Sequence, residues 1–245
     1  MSDPTTEAPA PAPAPAKASL GEDFVDIFTS PSAVFARRAN SGFFLMMVIL
    51  TVVLGALYFV NRGALAEIMD AEISRALAQA AKANPSMTEA QLEAGKKVAH
   101  TTTMIGAFVG VPIVLLFTGL GAWIVSKILG GAMSFGAAMT VAAYAYCPRV
   151  LESVGVLAQG VLLDTTKMTG KYQLSLGVGR FLDPEMSPGL LGLLGRVDLI
   201  TLWITVLFAI GIGVVAKLPK NKWAVAGVMM WVWGAIPALW QVVRG

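Results

Sequence analysis

Residues 132–163 read AMSFGAAMTVAAYAYCPRVLESVGVLAQGVLL, an apolar run interrupted by Cys147-Pro148-Arg149 and Glu152. At about 1.5 Å of rise per residue, a straight helix of this length reaches well past a hydrocarbon core of roughly 30 Å. The run is therefore one kinked crossing of a bilayer or two short half-crossings, and everything downstream changes sides with that choice. A proline inside a helix removes one hydrogen bond and clashes with the preceding turn, so a kink or break at Pro148 is expected under both readings.

Four further stretches flank it. Gly42 to Val60, Met104 to Ser126, Val197 to Ala216 and Trp223 to Val243 each hold the roughly 20 mostly apolar residues that a spanning helix needs. Mean hydropathy is +0.70, with 56% hydrophobic and 13% charged residues, against about 25% charged in a soluble domain. Backbone groups find no water in lipid, so these stretches should be helices, giving an all-α polytopic integral membrane bundle. Residues 1–21 carry Asp3, Glu7 and alternating Pro and Ala, without the basic start and apolar run of a cleavable signal. They should form an extended, solvated cytoplasmic tail, with Gly42 to Val60 both targeting and anchoring the chain.

Orientation follows from Lys and Arg in short flanks. Arg37 and Arg38 precede the first stretch and place the N-terminus in the cytoplasm. If residues 132–163 cross once, Lys217, Lys220 and Lys222 also face in; if they cross twice, those lysines face out. The charge bias favours five spans, with the C-terminus outside.

The segment from Asn61 to Thr103 is no ordinary loop. Leu65, Met69, Ile73, Ala76, Leu77 and Ala80 recur at helical spacing, which predicts an amphipathic helix stopped by Asn84-Pro85. Ser86 with Glu89, and Thr88 with Gln91, are overlapping capping-box spacings for a second helix that should run on through Lys96 and Lys97 into the next span. The expectation is an extramembrane helical hairpin at the membrane surface between the first two spans, covering the bundle or meeting a partner.

Charges at membrane depth are costly and tend to be functional, paired or wet. Arg149 and Glu152 stand at i,i+3, a spacing that allows an ion pair. Arg196 and Asp198 would join them if their helix end packs beside the Pro148 break. This cluster would be either a polar pocket for an anion or proton, or a bridge pinning the kinked helix. Tyr144 and Tyr146 suit interface anchoring, and the lone Cys147 excludes an intrachain disulfide and suits a small buried hydrophobe. His100 has no ligand set around it, and Gly177-Val178-Gly179 reads as a turn. The sequence carries no zinc-type histidine pair, phosphate-binding loop or nucleophile elbow, so neither a catalytic residue, a cofactor nor a metal is expected. The excess of juxtamembrane Lys and Arg is explained by anionic headgroups, without nucleic acid. Gly106 and Gly110 permit close helix packing within the chain or in a homo-oligomer.

Three local patterns, in order, resemble the Yip1 domain family of multi-span membrane proteins. The first is Phe28-Thr29-Ser30-Pro31 followed by Phe35, with Ser30 where the family tends to have an acidic residue. The second is Ser134-Phe135, then Ala143-Tyr144 and Pro148, similar to a Ser-Phe and Gly-Tyr-x-x-x-Pro pattern with Ala143 in place of Gly. The third is Asp198 to Trp203 leading to Gly211. The resemblance covers about Glu22 to Val243. It implies a 22–243 transmembrane domain with five spans and a cytoplasmic N-terminus, in members of bacterial type in the cytoplasmic (inner) membrane.

The expected function is a non-enzymatic scaffold or membrane-organising factor. It would bind the lipid bilayer and protein partners, through the exterior hairpin and through an N-terminal segment docked by Phe24, Ile27 and Phe28. The competing expectation is a small-solute or ion transporter using Arg149, Glu152 and Asp198.

Overall fold

The computed structural model describes residues 18–164 and 167–244. Most of the expected Pro/Ala tail, residues 1–17, lies outside the described residues. Ser19 caps α1, slightly before the expected boundary. Nine named helices follow: α1 (Leu20–Thr29), α2 (Pro31–Arg38), α3 (Phe44–Ala83), α4 (Glu89–Ile128), α5 (Phe135–Ala145), α6 (Pro148–Leu162), α7 (Pro188–Leu194), α8 (Leu199–Val215) and α9 (Trp223–Arg244). Among the described residues there is no strand, only a single antiparallel bridge between Gly177 and Asp198. Three helices, α3, α4 and the one covering Lys220–Val243, are long and apolar enough to cross a membrane. The protein is thus an all-helical membrane protein.

Local chemistry sets the helix ends. Ser19 and Glu22 form a capping box on α1. On α4, of the two overlapping boxes in the sequence, the chain uses Thr88 and Gln91: Gln91 N donates to Thr88 Oγ1 at 3.3 Å and Thr88 N to Gln91 Oε1 at 2.8 Å. Pro31 and Pro148 each open a helix, where a missing amide costs nothing.

Between the first two apolar stretches the chain forms two helices that meet at Asn84, the second running on into the next apolar stretch, and the first also continuous with the stretch before it. Both α3 and α4 run for 40 residues without a break, about 60 Å. The amphipathic 65–80 segment is therefore the continuation of the first apolar stretch. The only breaker between Val60 and Asn84 is Gly63, and one glycine, at about 1 kcal/mol, does not interrupt a cooperative helix. The two helices pair along their length: Gly95 on α4 lies against the Leu77 side chain. Ile73 is buried as its spacing suggested, together with Ile68, which that spacing passed over.

The long central run divides where expected. Helix α5 ends at Ala145 and α6 begins at Pro148, with Tyr146-Cys147 between them. Helix α5 has 11 residues and α6 has 15, about 16 and 22 Å, each too short for a core of roughly 30 Å. Every residue of α5 from Ala137 to Ala145 is buried. It forms a central rod, packed by α4 and α8 and touched by α1, α2 and α3.

The N-terminal helices close the bundle on one side. Ile27 belongs to the buried core and Phe24 and Phe28 pack against it. Of the three residues expected to dock this segment on the membrane face or on a partner, Ile27 is taken up by the core, and Phe24 and Phe28 are partly buried against it. The Phe28 ring lies 6.0 Å from Trp203. Phe35, only 1% exposed, lies against Gly211 two turns further along α8. A side chain at Gly211 would start 2.7 Å from Val141 and 3.0 Å from Phe35, so the absence of a Cβ lets three elements meet.

Candidate functional site: a polar cavity at the Pro148 break

Because Pro148 restarts the helix, Arg149 and Glu152 project from the first turn of α6 rather than from the middle of a long rod. Arg149 Nη1 donates to Glu152 Oε2 at 2.5 Å, and Arg149 Nη2 to Thr201 Oγ1 on α8 at 3.3 Å. The paired side chains are 29% and 26% exposed, so the ion pair is partly wet.

Asp198 is buried and does not pair with Arg149. Its carboxylate accepts from Thr201 N at 2.8 Å, capping α8. Thr201 thus connects the two groups, accepting from Arg149 through its hydroxyl and donating to Asp198 through its backbone. Arg196 turns the other way. Its Nη1 donates to Gly234 O and its Nη2 to Trp231 O, both at 2.8 Å, on the turn of α9 before Pro237. The guanidinium also sits over the Trp231 ring at 5.4 Å. Among the described residues no carboxylate forms an ion pair with Arg196, and its Nε is buried without a hydrogen-bond partner. Burial works against the charge, lowering the Arg196 pKa below the usual arginine value.

Arg149, Glu152, Arg196 and Asp198, chosen from sequence as one cluster, do line one cavity of about 350 Å³, together with Lys171, Tyr172 and Thr201. A neighbouring cleft of about 440 Å³ shares Lys171, Tyr172 and Arg196 and adds Glu72 and Arg75 of α3. The roof comes from the loop after α6. It is strapped down by Val178 N to Val197 O at 2.9 Å, by Arg75 Nε to Glu185 Oε1 at 2.9 Å and by Lys171 N to Glu72 Oε1 at 2.9 Å. Gly177 has a structural reason to be glycine, because a Cβ there would sit 2.2 Å from Val197 O.

Sequence reasoning missed a second polar centre. Asp23, with a fully buried side chain, accepts from Arg37 Nε at 2.6 Å, Arg38 Nε at 2.5 Å and the Tyr144 hydroxyl at 3.3 Å. Arg37 also pairs with Asp26 at 2.6 Å. Nothing in Gly21-Glu22-Asp23 marks one acid for burial. The available signal was the i,i+4 spacing of Asp23 with Ile27, which puts a carboxylate on the apolar face of α1. Of the remaining candidates, His100 Nε2 lies 3.1 Å from Asp70 Oδ1, Cys147 is free and buried, and no metal-holding group of His, Cys, Asp and Glu occurs among the described residues.

The six motif positions quoted from sequence fall largely around the seat of the N-terminal helices. Ser30 and Pro31 form the α1–α2 junction, Phe35 meets Gly211, Tyr144 bonds Asp23, and Trp203 faces Phe28. Pro148 opens α6 just beyond Tyr144. Three patterns spread between Phe28 and Gly211 are thus mostly one packing unit. The family model for the Yip1 domain matches residues 25–241. The chain belongs to the Yip1 domain family. No curated protein and no solved structure matches it. The Yip1 domain match therefore contains the polar cavity and most of the N-terminal seat, from the second turn of α1 to the last turn of α9, with Asp23 and Phe24 just before it.

Proposed function

We propose that this protein is a non-enzymatic scaffold or membrane-organising factor, built from five crossings and presenting a long helical arm to protein partners. The crossings are α3, α4, α5 with α6, α8 and α9. Two contacts support this count. Lys222 Nζ donates to Leu129 O at 2.8 Å, holding the end of α4 and the start of α9 at one face. Asn61 Nδ2 donates to Ser153 O at 3.0 Å and Ala64 touches Gly160, so α6 continues alongside α3. With Arg37, Arg38, Lys127 and Lys217 to Lys222 at the inner face, the N-terminus is cytoplasmic and the bilayer is a bacterial inner membrane.

The observation that carries the scaffold reading is the arm. Two helices of 40 residues, about 60 Å long, are twice the hydrocarbon thickness. Their far halves carry exposed Glu67, Asp70, Lys82, Glu89, Glu93 and Lys97. A charged two-helix projection suits contact with another protein, while its inner face at Glu72 and Arg75 borders the cleft. The test is copurification from native membranes, comparing the full chain with a version in which residues 76–96 are replaced by a short Gly/Ser linker. Loss of specific partners supports the reading; an unchanged partner set removes the arm from it.

The second reading, a small-solute transporter, is favoured by one observation: Arg149, Glu152, Arg196 and Asp198 share a cavity. Flux into proteoliposomes that falls with Glu152→Gln in folded protein would establish it.

A further inference from the structure

Arg149 stands where three openings meet. It lines the polar cavity of about 350 Å³, a small inner crevice shared with Arg196 and Thr201, and a lateral groove of about 300 Å³. The groove has a different character from the cavity. Leu54, Gly106, Gly110, Val111 and Val114 form its walls, and Tyr146 lies beside Arg149 in it. A Cβ placed on Gly106 or Gly110 would meet no atom within 4 Å, so these glycines leave space rather than close a helix contact. Ile105, Val109 and Ile113 on the same stretch of α4 are 57%, 51% and 58% exposed, which puts the groove on a lipid-facing apolar surface.

The polar cavity, for its part, carries an unbalanced charge. Arg149, Lys171 and Arg196 line it against Glu152 and Asp198. Glu152 pairs with Arg149 and Asp198 is used as a helix cap. Lys171 Nζ is only loosely held, 3.8 Å from Glu72, and its side chain is 59% exposed. Arg196 keeps a charge that no carboxylate among the described residues neutralises. A guanidinium held partly away from water beside a roomy cavity favours an anion there.

We propose that this junction binds an anionic phospholipid, with the phosphate headgroup in the cavity beside Arg149, Lys171 and Arg196 and an acyl chain in the groove over Gly106 and Gly110. Charge and shape argue for one amphiphile rather than two ligands, because polar and apolar spaces adjoin at a single residue. Lys171 and Arg149 supply the donors, while Arg196 supplies fixed positive charge. A tail chain needs a smooth apolar slot, and the two glycines provide it. The inference rests on the cavities alone, so it stands or falls separately from the scaffold reading.

The experiment is native mass spectrometry of the detergent-purified full chain. The protein is mixed with phosphatidylglycerol, with phosphatidylcholine of identical acyl chains, or with inorganic phosphate, and lipid retention and thermal unfolding are recorded. The expected result is at least about tenfold stronger retention of phosphatidylglycerol than of phosphatidylcholine, the scale of one charge-assisted contact. Arg196→Gln should bring the two lipids close to parity. Lys171→Gln, at an exposed side chain, should lower the preference without the risk of disturbing α9. Gly110→Leu fills the groove in open space and should reduce retention of both lipids in protein that keeps its helical signal and melting temperature. Equal retention of the two lipids by the natural chain overturns the proposal, as does unchanged retention in Gly110→Leu. Stabilisation by inorganic phosphate equal to that by phosphatidylglycerol would assign the cavity to a soluble anion and overturn the lipid assignment.

Discussion

The Asp23 carboxylate and the Tyr144 hydroxyl meet at 3.3 Å across 121 residues of chain, joining α1 to the central rod α5. Arg37 and Arg38 complete the contact from α2, so the carboxylate is buried with its charge matched. Replacing Asp23 by Asn should cost about 3 kcal/mol, toward the lower end for breaking a buried ionic group, because both arginines retain some water. Tyr144→Phe should cost only about 1 kcal/mol. Thermal unfolding in detergent and the rate of proteolysis near Arg37 would check both values.

A deletion ending at Ala16 should leave the melting temperature unchanged, because it keeps Ala18 O, which accepts from Arg38 Nη2 at 2.6 Å, whereas one ending at Ser30 should lower it and expose Phe35 and Gly211. The second deletion removes Asp23 and Ile27 from the fold, as well as any partner-binding segment. A lost partner therefore reports on the tail only when the shorter deletion is used.

Gly211→Ala should destabilise by about 1 to 3 kcal/mol, since the added methyl would start 2.7 Å from Val141 and must displace Phe35 or α5. Gly106→Ala, placed in open space, should leave stability nearly unchanged. Equal effects of the two substitutions in a thermal unfolding assay would contradict the packing at Gly211.

Glu152→Gln should lower stability by about 1 to 2 kcal/mol, less than for a fully buried pair because both side chains are a quarter exposed. Arg149 keeps its contact to Thr201, which limits the loss. Denaturation measured alongside solute flux separates a structural pair from a transport group.

A cysteine introduced at Asn221 should be labelled only after permeabilisation, and one at Asn84 should be labelled in intact cells. Both positions are exposed, and the natural Cys147 is buried and will not compete. External labelling at Asn221 would remove the five-crossing arrangement.

Much of the frame was legible because length and hydropathy are local properties. The apolar runs at Phe44, Met104 and Trp223 needed no knowledge of their neighbours, and neither did the stop at Asn84 or the restart at Pro148. The polar cluster was half legible: the spacing of Arg149 and Glu152 yields their pair, and all four charged residues share a cavity. What was hidden was how each charge is satisfied. Asp198 turns to its own helix end and Arg196 to carbonyls near Pro237, choices fixed by how α8 and α9 pack. Asp23 was hidden more deeply. Its burial depends on Arg37, Arg38 and Tyr144, and no window short enough to show a helix contains all of them. In the α3–α4 arm the run of α4 into its apolar stretch was legible, and the unbroken join of α3 to the first stretch was not. An amphipathic segment suggested a separate element, but without a strong breaker after Val60 helix propagation carried straight through it.

The seat of α1 and α2 also sets an order of assembly. These helices leave the ribosome first, yet the walls they rest on, α5 and α8, are made about a hundred or more residues later. Until Trp203 and Gly211 enter the bilayer, Phe28 and Phe35 lack their contacts on α8, although Asp23 can already meet Arg37, Arg38 and Tyr144. The earliest-made part of the domain is thus completed only after nearly the whole chain has been inserted, and a chain arrested before α8 would display its N-terminal helices loose at the membrane surface.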